Sequence, residues 1–302
     1  MIVKAIEIKN FHKAFGQTVV IKDLSFDVYA GEIFAFLGAN GSGKTTTLRS
    51  LLGIYQPDGG ELLVYGKKYS TELSSILGYL PEERGLYVDN KVIDAMTYMG
   101  QLKGMTVTAA RASASKYLER VGLSDKKNLP IKKLSSGQQQ KIQLGMTVIN
   151  RPKLLILDEP TKGLDPVNRN LLLEILLELK KENDSTIIFS THQMEEAEKI
   201  ADRLVMIKDG DRRLYGTIEE VKEKFGNNIV HVEYSGKFPE NPKLYTASVQ
   251  TNSAELTPKT HVTHDQIIRA LVDSDIQIHE FKVGAPSLNE IFIKVSQSDK
   301  QI

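Results

Sequence analysis

From Met1 to Phe36 the chain reads as extended, with Ile2, Ala5, Ile6 and Ile8 alternating with polar residues and a second stretch, Val19 to Val28, punctuated by Asp23. The run Gly31 to Leu37 predicts a central strand feeding straight into a glycine loop, and Thr45 to Leu52 has the composition of a short helix. Between residues 91 and 123 the period changes. Val92, Ala95, Met96, Met99 and Leu102 recur at helical spacing and an alanine-rich stretch, Ala109 to Leu123, follows. This predicts a helical insertion between two sheet-forming regions.

Strand grammar resumes at Leu154 to Leu157, followed by a helix from about Pro166 to Lys181. A strand at Thr186–Ser190, a helix at Met194–Ala201 and a strand at Leu204–Ile207 come next, and Asp209-Gly210 marks a turn. Alternation of this kind predicts a parallel α/β sheet. Beyond about residue 221 the texture changes. A strand at Ile229–Tyr234, a breaker-rich loop from Phe238 to Pro242, a helix at His264–Val272, a strand at Ile276–Val283 and a final helix at Ser287–Ile293 predict a small α+β appendage. The expected division is therefore 1–220, with a helical part at about 86–150, and 221–302. With no internal repeat, two copies of the first domain in one chain are excluded.

The 302 residues are 41% apolar and 25% charged, the balance of an ordinary globular protein. Lys and Arg (39) against Asp and Glu (38) leave a net charge of +1, so no global field marks a nucleic-acid binder. Cysteine is absent, which removes disulfides, thiolate catalysis and cysteine metal sites. The charged start is not that of a signal peptide. No stretch approaches the ~20 apolar residues of a membrane helix, so a membrane role calls for a separate partner chain.

Gly38-Ala39-Asn40-Gly41-Ser42-Gly43-Lys44-Thr45 fits G-x-x-x-x-G-K-[ST], placed between a predicted strand and a predicted helix. Glycines let backbone N–H groups turn around phosphate oxygens, and the helix N-terminus adds favourable potential. Lys44 is expected on the β- and γ-phosphates, and the Thr45 hydroxyl on Mg²⁺, with Thr46 beside it. Leu154 to Leu157 ends in Asp158-Glu159 at the sheet edge that faces a ligand crevice. Such a pair alone usually marks a solvated strand end. Beside a phosphate loop, Asp158 is expected to hold Mg²⁺ and Glu159 to polarise an attacking water.

Leu134-Ser135-Ser136-Gly137-Gln138 precedes an apolar-periodic helix, just upstream of that strand. Here the sequence resembles the ATP-binding-cassette (ABC) family, whose signature is L-S-G-G-Q. Ser136 stands where glycine is usual, and serine is strained there if the backbone requires φ > 0. The plainer reading is a serine N-cap at a helix start. The resemblance implies an α/β fold, a P-loop NTPase cassette with a RecA-like parallel-sheet core, an N-terminal antiparallel β region and a helical insertion.

It further implies adenine stacking by Phe15, a D-loop at Gly163-Leu164-Asp165-Pro166, and γ-phosphate sensing by His192. The Q-loop falls at Gly78 to Glu82, with Glu82 in place of glutamine and reaching Mg²⁺ through an oxygen. Pro81 to Tyr87 and Pro286 to Phe292 are similar to the bacterial sodium-extrusion type of ABC ATP-binding subunit, which pairs with separate ABC-2-type permeases. The activity implied by this resemblance is an ATPase using ATP and Mg²⁺, peripheral at the cytoplasmic face of the membrane. Two copies, or two paralogues, would sandwich ATP head to tail, with Ser135, Gly137 and Gln138 of one closing on the phosphate loop of the other.

Two other classes compete. A soluble ABC ATPase of DNA repair or translation would carry long coiled-coil insertions or paired cassettes, and the near-neutral charge argues against wrapping nucleic acid. A P-loop kinase leaves Leu134 to Gln138 unexplained. In the tail, His231, His261, His264 and His279 raise the question of a metal site, above all His261-Val262-Thr263-His264. With no cysteine or tight carboxylate cluster beside them, packing or exposed histidines are expected.

Overall fold

A computed structural model describes residues 3–83, 85–225 and 229–297. The expectations placed on Ile2 and on Arg84, within the Pro81 to Tyr87 segment, lie outside the described residues. The chain divides into two compact units, with the boundary along the chain between Thr217 and Ile218.

In the first unit, strands β1 (Lys4–Phe15) and β2 (Thr18–Tyr29) form an antiparallel hairpin. The fully buried β3 (Ile33–Leu37) runs through the glycine loop into helix α1 (Lys44–Leu51). β4 (Gly59–Val64) then pairs antiparallel with β1, completing a three-stranded sheet ordered β2-β1-β4. After β5 (Leu77–Leu80) come three helices, α2 (Val92–Leu102), α3 (Val107–Arg120) and α4 (Ser136–Val148). Thr106 caps α3, its side chain accepting from the Ala109 N–H.

The remaining elements are β6 (Leu154–Asp158), α5 (Pro166–Asn183), β7 (Thr186–Thr191), α6 (Met194–Ile200), β8 (Arg203–Lys208) and β9 (Asp211–Thr217). Asp165 caps α5 by accepting from the Asn168 N–H at 3.0 Å, with Pro166 in the first helical position. The large sheet is ordered β5-β6-β7-β3-β8-β9, with only β9 antiparallel to its neighbour. Every residue of β3, β6 and β7 is buried, as expected of parallel strands covered on both faces.

One apolar cluster joins Ile6, Ile8 and Phe26 of the antiparallel sheet to Leu48 and Leu51 of α1 and to Ile156, Ile188 and Val205 of the large sheet. This packing anchors α1, and with it the loop that precedes it. The register is the feature that matters for function. Leu37 at the end of β3 lies opposite Thr191 of β7, and Asp158 at the end of β6 lies opposite Ser190. Three strands thus finish level at the carboxyl edge, the usual ligand edge of an open parallel sheet.

The second unit contains α7 (Ile218–Lys224), β10 (Ile229–Ser235), β11 (Tyr245–Val249), β12 (Ser253–Pro258), α8 (His264–Val272), β13 (Gln277–Gly284) and α9 (Leu288–Gln297). Its sheet is ordered β11-β12-β10-β13 and is antiparallel throughout. Ile267 and Leu271 of α8 share a core with Val230, Val232 and Leu256. Among the described residues no helix is long and apolar enough to cross a membrane.

Candidate nucleotide site

The loop between β3 and α1 is shaped by close backbone approach. Gly43 adopts φ 108°, and a Cβ there would lie 2.3 Å from Ile21 Cδ1, so only glycine lets this turn seat against β2. At Gly38 a Cβ would sit 2.5 Å from Ser42 Oγ and 2.6 Å from the Ile207 carbonyl oxygen. The loop opens on a cavity of about 520 Å³ lined by Phe15, Asn40, Gly41, Gly43, Lys44, Thr45, Thr46, Glu82 and Glu159, together with Val20. Residues far apart in the chain therefore meet in one space.

The Lys44 ammonium is folded onto the loop, donating to the carbonyls of Gly38 at 2.8 Å and Ala39 at 3.1 Å. Its Nζ is also 3.7 Å from Glu159 Oε1. Burial pulls the Lys44 pKa below the usual lysine value, with the Glu159 and Asp158 carboxylates opposing that pull. Asp158 is fully buried, and its Oδ1 accepts from Ser190 Oγ at 2.6 Å. Burial pushes its carboxyl above the usual value, against the Ser190 and Thr45 hydrogen bonds.

Among the described residues Ser42 Oγ and Asp158 Oδ2 are buried without a hydrogen-bond partner, while Glu159 Oε1, also without one, faces the Lys44 ammonium. Orphaned buried oxygens of this kind are rare, and they call for a ligand. Oxygen donors on Asp158 and Thr45 beside a polar loop suit a hard cation such as Mg²⁺ that arrives with a polyphosphate.

Glu159 follows β6 in a left-handed backbone conformation, φ 48°. Its N–H donates to Ser190 Oγ at 2.9 Å, so one hydroxyl orders both residues of the carboxylate pair. His192 Nδ1 lies 2.9 Å from Glu159 Oε2. Phe15 stands at the cavity rim, 44% exposed, edge-on to Tyr55 at 5.2 Å between ring centroids. An exposed ring there offers a stacking face. Glu82 lines the same cavity, but its Oε1 accepts from Lys162 Nζ.

Ser135, Gly137 and Gln138 are at the N-terminus of α4 and are not among the residues lining this cavity. Ser135 is the N-cap in a capping box: its hydroxyl accepts from the Gln138 N–H, and the Gln138 side chain accepts from the Ser135 N–H. The condition for strain at Ser136 is not met, because this residue is the first of the helix and has no positive φ. Two contributors have roles that the sequence does not announce. Ser190 is signalled only by its place in Ser190-Thr191-His192 at a strand end. Lys162 has no signal, because its partner is 80 positions away.

In the second unit, ligand atoms of His231, Glu255 and Glu290 lie within 4.8 Å of one another. His231 and Glu255 are direct partners across β10 and β12, while Glu290 closes a capping box with Ser287 on α9. Burial, and then the adjoining Glu290 carboxyl, push Glu255 up to about 8. His264 is instead the first residue of α8, and His261 sits in the turn before it.

Residues 21–162 match the ABC transporter family, and residues 216–296 match the C-terminal domain of ATP-binding proteins of the DrrA1-3-like kind. An uncharacterised ABC transporter ATP-binding protein of Methanocaldococcus jannaschii is 43% identical over 254 residues, covering 84% of this chain and 90% of that protein. The Nod factor export ATP-binding protein I of Burkholderia lata is 31% identical over 305 residues, with 100% of each chain covered. A solved structure described as the ATP-binding subunit of an ABC transporter superposes with TM-score 0.68 at 27% identity, over 74% of this chain and 93% of that one. The family matches and these relatives place the chain in the ABC transporter ATP-binding proteins, ATPases coupled to transport, with a DrrA-like C-terminal domain.

Proposed function

We propose that two copies of this chain bind ATP head to tail and hydrolyse it to drive export through a separate ABC-2-type permease at the cytoplasmic face of a membrane. One observation carries the reading. Beyond the level ends of β3, β7 and β6, Lys44 and Glu159 line one cavity with Phe15 at its rim, Asp158 precedes Glu159 at the end of β6, and His192 contacts Glu159. Lys44 leaves the Gly38 and Ala39 carbonyls to meet the β- and γ-phosphates, a better partner for a buried ammonium than neutral carbonyls. Loop N–H groups and the α1 terminus hold the remaining phosphate oxygens.

Thr45 and Asp158, with the second oxygen of Glu82, would hold Mg²⁺, whose chemistry here is to neutralise charge on the β- and γ-phosphate oxygens. Glu159 takes a proton from the attacking water, and His192 steadies the Glu159 carboxylate. Ser135, Gly137 and Gln138 of the second copy close over the γ-phosphate with the positive end of α4. The Burkholderia relative is named for export, which supports that direction of transport.

The test is Glu159→Gln. The variant is expected to bind ATP, lose phosphate release by roughly 100-fold or more, on the order of general-base losses, and accumulate as an ATP-dependent dimer on size exclusion. Wild-type turnover by the variant would overturn the assigned base.

A further inference from the structure

The Glu82 carboxylate lines the same cavity as Glu159 and the glycine loop, and acts on both Lys44 and Asp158 through space. A carboxylate so placed opposes the entry of a polyphosphate unless a cation offsets it. Lys162 is that cation, donating from Nζ to Glu82 Oε1. Both halves of the contact are held by the backbone. The Lys162 N–H donates to the Glu159 carbonyl at 3.1 Å, so the turn that places Glu159 also delivers Lys162. On the other side, Gln143 Nε2 of α4 donates to the carbonyls of Pro81 and Glu83, both at 3.3 Å, which fixes the loop flanking Glu82.

We propose that Lys162 is a positioning residue for nucleotide binding, holding the Glu82 carboxylate and cancelling its charge so that the cavity accepts a polyphosphate beside it. This rests on the nucleotide reading above. The Lys162 side chain is 57% exposed, so the pair contributes little to folding stability. Its effect belongs to affinity. Glu82 and Lys162 act as a unit: removing the cation alone leaves an uncompensated carboxylate, while removing both charges leaves none.

The experiment is a double-mutant cycle on the full chain, read by equilibrium titration with trinitrophenyl-ATP in the presence of Mg²⁺. Lys162→Met is expected to weaken binding by roughly three- to tenfold, the range of a partly exposed ion pair acting on a charged ligand. Lys162→Arg is expected to restore most of the loss. In a Glu82→Gln background, adding Lys162→Met is expected to change binding by less than about twofold from Glu82→Gln alone. In about 0.5 M salt the Lys162→Met defect is expected to shrink, because exposed charges are screened. Equal losses from Lys162→Met with glutamate or glutamine at position 82, or no loss in either, would overturn the pairing. Wild-type protein that binds no nucleotide would instead overturn the underlying reading, and this proposal with it.

Discussion

His192 Nδ1 and Glu159 Oε2 are 2.9 Å apart, joining a histidine that is 42% exposed to a carboxylate that is 5% exposed. A carboxylate accepts, so Nδ1 carries the proton and the ring fixes one Glu159 oxygen while Oε1 stays without a hydrogen bond. If Glu159 is the base proposed above, His192→Ala is expected to lower ATP turnover about 10- to 100-fold by releasing its carboxylate from this rotamer, with ATP affinity changed by less than about threefold. Paired phosphate-release and ATP-titration measurements check this. A parallel loss of affinity would show that the ring acts on the bound nucleotide rather than on Glu159.

Asp158 is held as a buried carboxylate with one oxygen unpartnered, an arrangement that costs folding energy until a cation arrives. Asp158→Asn keeps the shape and removes the charge. The nucleotide-free variant is expected to melt at the wild-type temperature or a few degrees above it, on the order of the gain seen when a strained functional group is neutralised. The extra stabilisation by Mg²⁺ with ATP over ATP alone is expected to disappear. Thermal melts in the three conditions read both effects.

Gly41 and Gly43 separate backbone strain from steric conflict. Both have positive φ, 79° and 108°, but a Cβ at Gly41 meets nothing within 4 Å, whereas one at Gly43 meets Ile21 Cδ1. Gly41→Ala is expected to cost about 1 kcal/mol and Gly43→Ala about 2–4 kcal/mol, since repacking of the buried Ile21 side chain adds to the strain. Denaturant unfolding at fixed pH measures the difference.

In the second unit, Glu255 faces Glu290 and His231, with Lys294 of α9 also acting on it. Its carboxyl is raised from 4.5 to about 8, so the folded form holds the proton more tightly than the unfolded one. The stability this contributes is present in full below about pH 4.5 and is lost as pH rises through about 8. Glu255→Gln is expected to flatten that decline between about pH 5 and about pH 9. Melting curves across the range, followed for the transition of this unit, test it; equal slopes for variant and wild type would assign the decline to other groups.

The glycine loop and the carboxylate pair of the candidate site are legible in the sequence because they are local. An apolar run followed by glycines and lysine, and another followed by two carboxylates, encode strand, loop and charge within a few residues. β3 and β6 are also unbroken apolar stretches, which only burial on both faces explains. By contrast, β5 is a four-residue strand containing Gly78, whose lack of a side chain admits the Thr147 carbonyl, and no periodicity announces it. The edge strand β9 hides behind the Asp209-Gly210 turn. Polar β11 and β12 carry few inward residues for alternation to reveal.

Partnerships made by tertiary register are the least visible. Nothing near Glu82 in the chain points to Lys162, and the His231–Glu255 contact exists because β10 and β12 pair in one register. At Ser136 strain would follow only if the usual glycine marked a demand for an unusual backbone. The residue simply begins a helix, where serine fits.

Because β7 runs between β3 and β6, the glycine loop and the carboxylate pair leave the sheet two strand spacings apart, about 10 Å. Direct neighbours would press their loops together and shut the gap. The intervening strand thus acts as a spacer, setting the width of the slot and contributing at its tip the Ser190 hydroxyl that steadies its carboxylate wall. Mutations that thicken or shorten the end of β7 would retune the aperture without touching either loop.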